Sequence, residues 1–183
     1  MTRIVAGKYK GRKLKTLRRR TKSTSARVRE ALFSILGPRV DGCRFADLYA
    51  GVGTVGIEAL SRGARFCTFV ERRHAVAKVV AANLHAVGAQ NDAELRVATV
   101  ETWIKEMQGS PQPYDIMFLD PPYDLGGIAT VLYSMSAARL LAPDGVVVLE
   151  HSSRDTPLCP PLDLARTYTY GDSALTLYYP TED

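Results

Sequence analysis

Residues 47–60 constrain the fold more than any other part of the chain, because they predict a strand, a glycine turn and a helix in succession. An apolar run around Asp47 predicts the strand, and the apolar positions after Thr54 predict the helix, with the Thr54 side chain as its cap. Gly51 and Gly53 allow a tight turn and a close approach of the backbone to a ligand. The stretch therefore indicates the first unit of an α/β fold, with a ligand site where the strand ends.

The glycine spacing fits two kinds of nucleotide-like ligand. Gly51, Gly53 and Gly56 match the G-x-G-x-x-G pattern of dinucleotide sites, and Glu71 follows Gly51 by 20 residues, where an acid can hold ribose hydroxyls. A dinucleotide would bring an anionic pyrophosphate beside Asp47, which would repel it, whereas S-adenosylmethionine carries a cationic sulfonium and ammonium. The two acids therefore favour S-adenosylmethionine. The alternative is a βα corner in which Asp47 caps a turn and no ligand binds.

A second informative stretch is Asp120-Pro121-Pro122-Tyr123, which follows an apolar strand predicted at 114–119. Two prolines fix the backbone and have no N–H groups, so the Asp120 carboxylate and the adjoining carbonyls are left as acceptors. A planar exocyclic NH2 group needs such acceptors, and Tyr123 offers a flat face on which a base can stack. The tetrad therefore predicts amine chemistry on a nucleobase. The alternative is a proline turn that simply ends a strand.

The basic residues are concentrated at the start of the chain. The net charge is +5, yet residues 1–29 hold twelve of the 24 Lys and Arg and none of the 19 Asp and Glu. This segment contains apolar residues around Lys10-Gly11 that fit either a hairpin or a curled extension. An amphipathic helix follows from about Thr24 to Gly37-Pro38, with Arg27 and Arg29 off its apolar face. A packed cationic surface can follow a phosphate backbone, whereas the alternative is a solvated tail. The candidate RNA contacts are Lys8, Lys10, Arg12, Lys13, Arg18, Arg19, Arg20, Lys22 and Arg27.

Composition excludes several classes of protein. A length of 183 residues suits one domain with a small appendage. No apolar run approaches the roughly 20 residues of a membrane-spanning helix, and the basic N-terminus lacks the apolar stretch of a signal peptide. Neither the cysteines nor the histidines have metal-ligand spacing, and the three cysteines do not suggest a disulfide framework. These residues are Cys43, Cys67, Cys159, His74, His85 and His151. We expect no metal, no membrane partner and a cytoplasmic location.

Strands alternate with helices through the rest of the chain, which predicts a mostly parallel sheet covered on both faces. Further strands are predicted at about 65–70, 94–98, 114–119 and 146–150. Helices are predicted at about 76–87, around Trp103 and at about 128–141, with a loop at 143–145 and a closing hairpin at 167–179. The adenine-binding edge is expected at 98–100.

With these motifs, the sequence resembles a known family, the bacterial small-subunit ribosomal RNA guanine-N2 methyltransferases. The likeness covers nearly the whole chain. The D-P-P-Y tetrad alone is shared by many amino-group methyltransferases, but together with R-V-R-E-A-L-F and the glycine block it is specific. The matching segments are 3–7, 11–14, 27–33, 47–64, 69–71, 118–123 and 170–172, together with Leu175.

The resemblance implies a seven-stranded, Rossmann-like class I methyltransferase fold whose last strand is antiparallel. It implies S-adenosyl-L-methionine as the cofactor and methylation of the exocyclic N2 amine of a guanine in small-subunit ribosomal RNA, within a small-subunit particle. Residues 1–37 would be a basic RNA-binding extension, and residues 38–183 the methyltransferase domain. The implied cofactor contacts are Asp47, Tyr49, Ala50, Gly51, Gly53, Glu71, Thr99, Val100 and Asp120. The implied catalytic residues are Asp120, Pro121, Pro122 and Tyr123.

The sequence departs from the family pattern in two places and leaves other functions open. Before the amphipathic helix the family usually has T-R-P-T and then an Asp, whereas residues 21–26 are T-K-S-T-S-A. Thr99 stands where the family has an acid or amide. One alternative is adenine-N6 methylation of DNA or RNA, because the tetrad accepts either amine. Another is a cofactor-binding but inactive RNA-binding or assembly factor. We expect a monomer.

Overall fold

The computed structural model describes residues 2–17, 24–109, 112–122, 127–155 and 162–181. Its strands are β1 (Thr2–Arg3), β2 (Lys13–Leu14), β3 (Arg44–Leu48), β4 (Phe66–Val70), β5 (Ala93–Arg96), β6 (Tyr114–Leu119), β7 (Leu141–Ser152), β8 (Leu162–Tyr170) and β9 (Ser173–Pro180). Its α-helices are α1 (Ala26–Leu36), α2 (Thr54–Ser61), α3 (His74–Val87), α4 (Val100–Glu106) and α5 (Ile128–Ala137).

Strands β3 to β9 form one sheet of seven strands in the order β5-β4-β3-β6-β7-β9-β8. The pairs from β5 to β7 are parallel, and β9 is antiparallel to both β7 and β8. This topology confirms the predicted mostly parallel sheet with an antiparallel last strand. The chain moves outward from β3 to β5 and then returns to β6 on the other side of β3. Open α/β sheets bind ligands at such a switch point, outside the carboxyl ends of the strands.

Helices cover both faces of the sheet, as predicted. One hydrophobic core contains residues of α1, α2 and α3 together with Phe45, Phe69 and Phe118 of the sheet. The other contains residues of α4 and α5 together with Leu48 and Met117. Successive strand residues point to opposite faces, so a strand buried on both sides is mostly apolar. This accounts for the mostly apolar sequences of β3, β4 and β6, in which the buried polar residues Asp47 and Thr68 are hydrogen-bonded.

Three details of the predicted secondary structure are wrong. Thr54 does not cap α2: it is the first helical residue, and Gly53 occupies the cap position with a φ of +81°, without a side-chain cap. The helix predicted to reach residue 141 ends at Ala137, because Arg139 takes a φ of +51° and Leu140 N–H then closes the helix on the Met135 carbonyl. The loop predicted at 143–145 lies within β7, where the pairing with β6 is irregular.

Residues 2–17, which we call the N-terminal arm, pack on the body of the protein. β1 and β2 pair antiparallel, so of the two expected forms the segment adopts the hairpin. Ile4, Tyr9 and Leu14 are buried in the same core as α1 and α2. The Glu58 carboxylate of α2, itself fully buried, accepts from the N–H groups of Val5 (2.9 Å) and Ala6 (3.0 Å). The solvated-tail alternative is therefore excluded for these residues, while the division of the chain at residue 37 stays a prediction.

Arg29 of α1 is buried, which corrects its expected position off the packed face of the helix. Its Nη2 donates to the Arg3 carbonyl at 2.9 Å, and its Nε lies 3.6 Å from a Glu58 oxygen. Arg62 donates to the other Glu58 oxygen at 2.9 Å. A buried charge is tolerated only when it is paired and hydrogen-bonded. The pairing of Glu58 with Arg29 and Arg62 therefore ties α1, α2 and the N-terminal arm together.

Replacing Gly7 with Ala is expected to destabilise the protein more than replacing Gly11 with Ala. Both glycines have a left-handed φ, +79° and +82°, so both variants incur a backbone cost of about 1–2 kcal/mol. At Gly7 a Cβ would also overlap the Ser61 backbone, whereas at Gly11 the space is open. Urea unfolding should therefore show a further loss of about 1–3 kcal/mol for Gly7→Ala. Equal losses for the two variants would contradict this packing of the N-terminal arm on α2.

Candidate active site

The carboxyl ends of β3, β4, β6 and β7 open into one cleft of about 530 Å³. The cleft lies at the switch point between β3 and β6, where the topology favours a ligand. Most residues predicted to contact the cofactor or the base line this cleft. They are Asp47, Tyr49, Ala50, Gly51, Glu71, Thr99, Val100, Asp120, Pro121 and Pro122. Gly53 is not part of the lining and lies behind the turn, against Val80 and Phe69, while Tyr123 lies outside the described residues.

Asp47 sits near the end of β3 and faces both the glycine turn and the cleft. Its Oδ2 accepts from the Gly56 N–H at 2.8 Å, so the carboxyl anchors the start of α2. The side chain is almost fully buried, and this burial raises the pKa of Asp47 to about 8, with smaller contributions from the charges of Asp120 and Glu71. At pH 7 the Asp47 carboxyl of the ligand-free protein is therefore mostly protonated. A cation placed in the cleft would favour the ionised form.

Glu71 follows β4 and holds the glycine turn from the other side. The Gly51 N–H donates to Glu71 Oε2 at 3.0 Å, and the Arg73 N–H donates to Oε1 at 2.9 Å. Arg73 Nε also donates to Oε1, at 3.1 Å. An ionised carboxylate has about four acceptor positions, so these three bonds leave about one, on Oε2, for a hydroxyl donor of a ligand. Tyr49, just before the turn, has a φ of +65°, an uncommon conformation for a non-glycine residue that is typical of functional sites.

Asp120 is the first residue after β6, beside Asp47 and Glu71 in the cleft. Its Oδ2 accepts from the Thr24 hydroxyl at 3.2 Å, across 96 residues of sequence. Pro121 and Pro122 follow it and also line the cleft. The arrangement therefore presents a carboxylate and proline-flanked carbonyls at the strand end nearest the glycine turn.

The structure adds cleft residues that the sequence analysis did not single out. Thr24, Glu150 and His151 line the same cleft. Leu119 of β6 pairs with Leu149 of β7, so Glu150 follows β7 core residues at the level where Asp120 follows β6. A polar residue after a buried apolar run was the pattern that identified Glu71 and Asp120, and applied to 146–149 it would have identified Glu150.

His151 lines the cleft as a packed residue. Its ring nitrogens lie 2.8 Å from the Ser152 carbonyl oxygen and 2.7 Å from Thr176 Oγ1. Burial lowers the pKa of His151, so the neutral form is favoured. Among the described residues, no group of three or more His, Cys, Asp or Glu is arranged to hold a metal ion.

The candidate RNA contacts fall into two groups. Lys8, Lys10, Arg12 and Lys13 of the N-terminal arm and Arg27 of α1 are exposed. Arg12 Nη1 also donates to the Ala86 carbonyl of α3 at 3.0 Å, and this bond holds the Arg12 side chain against the body of the protein. Arg18, Arg19, Arg20 and Lys22 lie outside the described residues. In the part of the chain that is described, no helix is long and apolar enough to cross a membrane.

The family model described as conserved hypothetical protein 95 matches residues 2–179. The chain belongs to this family. A Haemophilus influenzae protein named ribosomal RNA small subunit methyltransferase D is 32% identical over 180 residues, spanning 96% of this chain and 92% of that protein. The Escherichia coli K12 protein of the same name is 32% identical over 153 residues, spanning 81% and 73%. These matches confirm the resemblance at the level of the family.

Solved structures show the same fold. A hypothetical protein from Thermus thermophilus is 31% identical, with a TM-score of 0.84 over 98% of this chain and 99% of that chain. The fold is the class I methyltransferase fold that was predicted.

Proposed function

We propose that this chain transfers the methyl group of S-adenosylmethionine to the exocyclic N2 amine of a guanine in small-subunit ribosomal RNA. The observation that carries the proposal is that Asp47 near the end of β3, Glu71 after β4 and the Asp120-Pro121-Pro122 corner after β6 share one cleft. The chain belongs to a family with relatives named ribosomal RNA small subunit methyltransferase D. This membership supports the general reaction, which is methyl transfer to ribosomal RNA. The choice of guanine N2 rests on the chemistry of the cleft.

The residues present fit S-adenosylmethionine, which supplies an electrophilic methyl group on a cationic sulfur. The cleft volume lies in the range of small-molecule sites, about 300–1,000 Å³. No atom lies within 4 Å of the position that a Cβ on Gly51 would occupy, so the backbone can approach a ligand there. Asp47 can ionise to face a positive charge, and Glu71 retains about one acceptor position, on Oε2, for a ribose hydroxyl. Thr99 and Val100 are proposed at the adenine edge.

At the other end of the cleft, Asp120 and the Pro121 carbonyl are proposed to accept the two N–H bonds of the target amine. With its two N–H bonds held by these acceptors, the amine would present its nitrogen lone pair to the methyl group that the cofactor supplies. The new N–C bond forms as the S–C bond breaks, and one amine proton then leaves to Asp120 or to solvent. Catalysis of this kind depends on positioning and on electrostatic stabilisation of the charge that develops on nitrogen. Tyr123 is proposed to stack on the base.

Glu150 supports guanine rather than adenine as the base. Guanine carries a hydrogen on ring N1 beside its amine, whereas adenine has an unprotonated N1 that accepts hydrogen bonds. In its ionised form, the Glu150 carboxylate attracts the N1–H of guanine and repels the N1 lone pair of adenine. Glu150 lines the cleft at the end of the strand next to Asp120, and it is buried, where such discrimination is strongest.

The product of the reaction tests the proposal. Small subunits that lack the modification are incubated with the protein and labelled S-adenosylmethionine, and the nucleosides of the RNA are then analysed. We expect N2-methylguanosine. Labelled N6-methyladenosine would contradict the assignment of the base, and binding of S-adenosylmethionine without any transfer would favour an inactive assembly factor.

The same assay tests the role of Asp120. Asp120→Ala is expected to lower the transfer rate by roughly 100-fold or more, because it removes an acceptor that stabilises the transition state. Binding of S-adenosylmethionine should persist. Asp163→Ala, at an exposed position on β8, is the matched control and should keep the full rate. Near-normal transfer by Asp120→Ala would overturn the assigned role.

The exposed basic residues of the arm and α1 are proposed to contact RNA phosphates. Release of counterions makes the logarithm of affinity fall with the logarithm of salt concentration by about 0.7 per phosphate contacted on single strands. Lys13→Ala should reduce this slope by about that amount, measured by RNA binding across a salt series. Lys105 is also exposed, but it lies on α4, which covers the other face of the sheet. Lys105→Ala should therefore leave the slope unchanged. An affinity that does not change with salt concentration would contradict the proposal that these basic residues contact RNA phosphates.

We expect a monomeric, cytoplasmic protein.

A further inference from the structure

We propose that Thr24 is a positioning residue that orients the Asp120 carboxylate for methyl transfer. This inference rests on the proposed function, since it assigns a role within the same cleft. Thr24 Oγ1 donates to Asp120 Oδ2 at 3.2 Å, and Thr24 itself lines the cleft. The residue comes from the segment before α1, and Asp120 comes from the end of β6, so the bond joins the N-terminal region to the reacting end of the cleft.

The Thr24 hydroxyl is not needed to cap α1. Ser25 is the cap residue, its Oγ accepts from the Val28 N–H at 3.1 Å, and its carbonyl accepts from the Arg29 N–H at 2.9 Å. Thr24 is only 5% exposed, so its hydroxyl is removed from water and directed to Asp120 instead. A buried hydroxyl without a partner is costly, and here the partner is the carboxylate.

Thr24 supplies a donor from outside the Asp120-Pro121-Pro122 corner, whose two prolines have no N–H to donate. A donor on Oδ2 fixes the plane of the carboxylate, and this plane decides how its oxygens meet the amine. Thr24 can serve because it stands on a rigid element: Val28, Leu32 and Phe33 of α1 are buried in the core. Arg29 ties the same helix to Arg3 and Glu58. A group held in this way preorganises the acceptor before the substrate arrives.

Thr24→Val tests the role, because it keeps the shape of the side chain and removes the donor. Single-turnover transfer is measured at saturating S-adenosylmethionine and RNA, together with the affinity for each. We expect the rate of transfer to fall roughly 10- to 100-fold, as for loss of a hydrogen bond to a charged group, with both affinities nearly unchanged. Thr24→Ser keeps the hydroxyl and should restore most of the rate.

Ser25→Ala is the matched control, since it weakens the cap of α1 but leaves the bond to Asp120 in place. It should lower the melting temperature without slowing transfer. A wild-type rate for Thr24→Val, or an equal slowing by Ser25→Ala, would overturn the proposal. If Thr24→Val does not fold, Thr24→Ala removes the same donor and is judged by the same outcomes. Failure of the wild-type protein to methylate guanine would instead reject the proposed function, so the two failures are distinguishable.

Discussion

The site depends on a charge constraint, which is that several carboxyl groups crowd into one cleft at the ends of parallel strands. Asp47, Glu71 and Asp120 all line it, and the charges of the last two help to raise the pKa of Asp47. Two backbone N–H groups offset part of the cost of this crowding: Gly51 of the glycine turn donates to Glu71, and Gly56 of α2 donates to Asp47. The remaining negative potential suits a cationic ligand and disfavours a pyrophosphate. The parallel strands bring the acids together, and their charge then favours a sulfonium cofactor.

The N-terminal arm is part of this arrangement rather than an attachment. Buried Glu58 accepts from the arm backbone and pairs with Arg29 of α1, and Thr24, directly before the Ser25 cap of α1, donates to Asp120. The described basic residues of the arm therefore stand on a segment that is packed against the body and linked through Arg29 to α1, the helix that follows Thr24. This connection offers a physical route by which the position of the arm affects the geometry of Asp120. The matched glycine variants and the Thr24 series probe the two ends of that route separately.

Local patterns predicted most of the fold and much of the cleft. Buried apolar runs gave the strands, and the carboxyl residues that follow them, Glu71 and Asp120, lie at the same edge because the strands are parallel. Thr54 was expected to cap α2 because threonine favours that position, but the left-handed Gly53 makes the turn instead. The preference of threonine for cap positions could not show that Gly53 would adopt the left-handed conformation at this turn.

Contacts between distant residues were beyond reach of the sequence pattern. Thr24 and Asp120 are separated by 96 residues, and no local spacing links them. Arg29 was expected away from the packed face, because its burial depends on Glu58 and on the Arg3 carbonyl, which only the folded arm brings near. Glu150 was within reach, since it follows a buried strand as Asp120 does. The product and salt measurements test the function that these contacts support.

Calorimetry of S-adenosylmethionine binding tests the central claim most directly. Because burial raises the pKa of Asp47 to about 8, its carboxyl is mostly protonated at pH 7, and a bound cation should draw the proton off. Titrations in buffers of different ionisation enthalpy should then show release of about one proton per ligand at pH 7, with affinity rising as the pH approaches 8. Asp47→Asn should abolish this release. No proton release by the wild-type protein, or equal release by Asp47→Asn, would contradict the account.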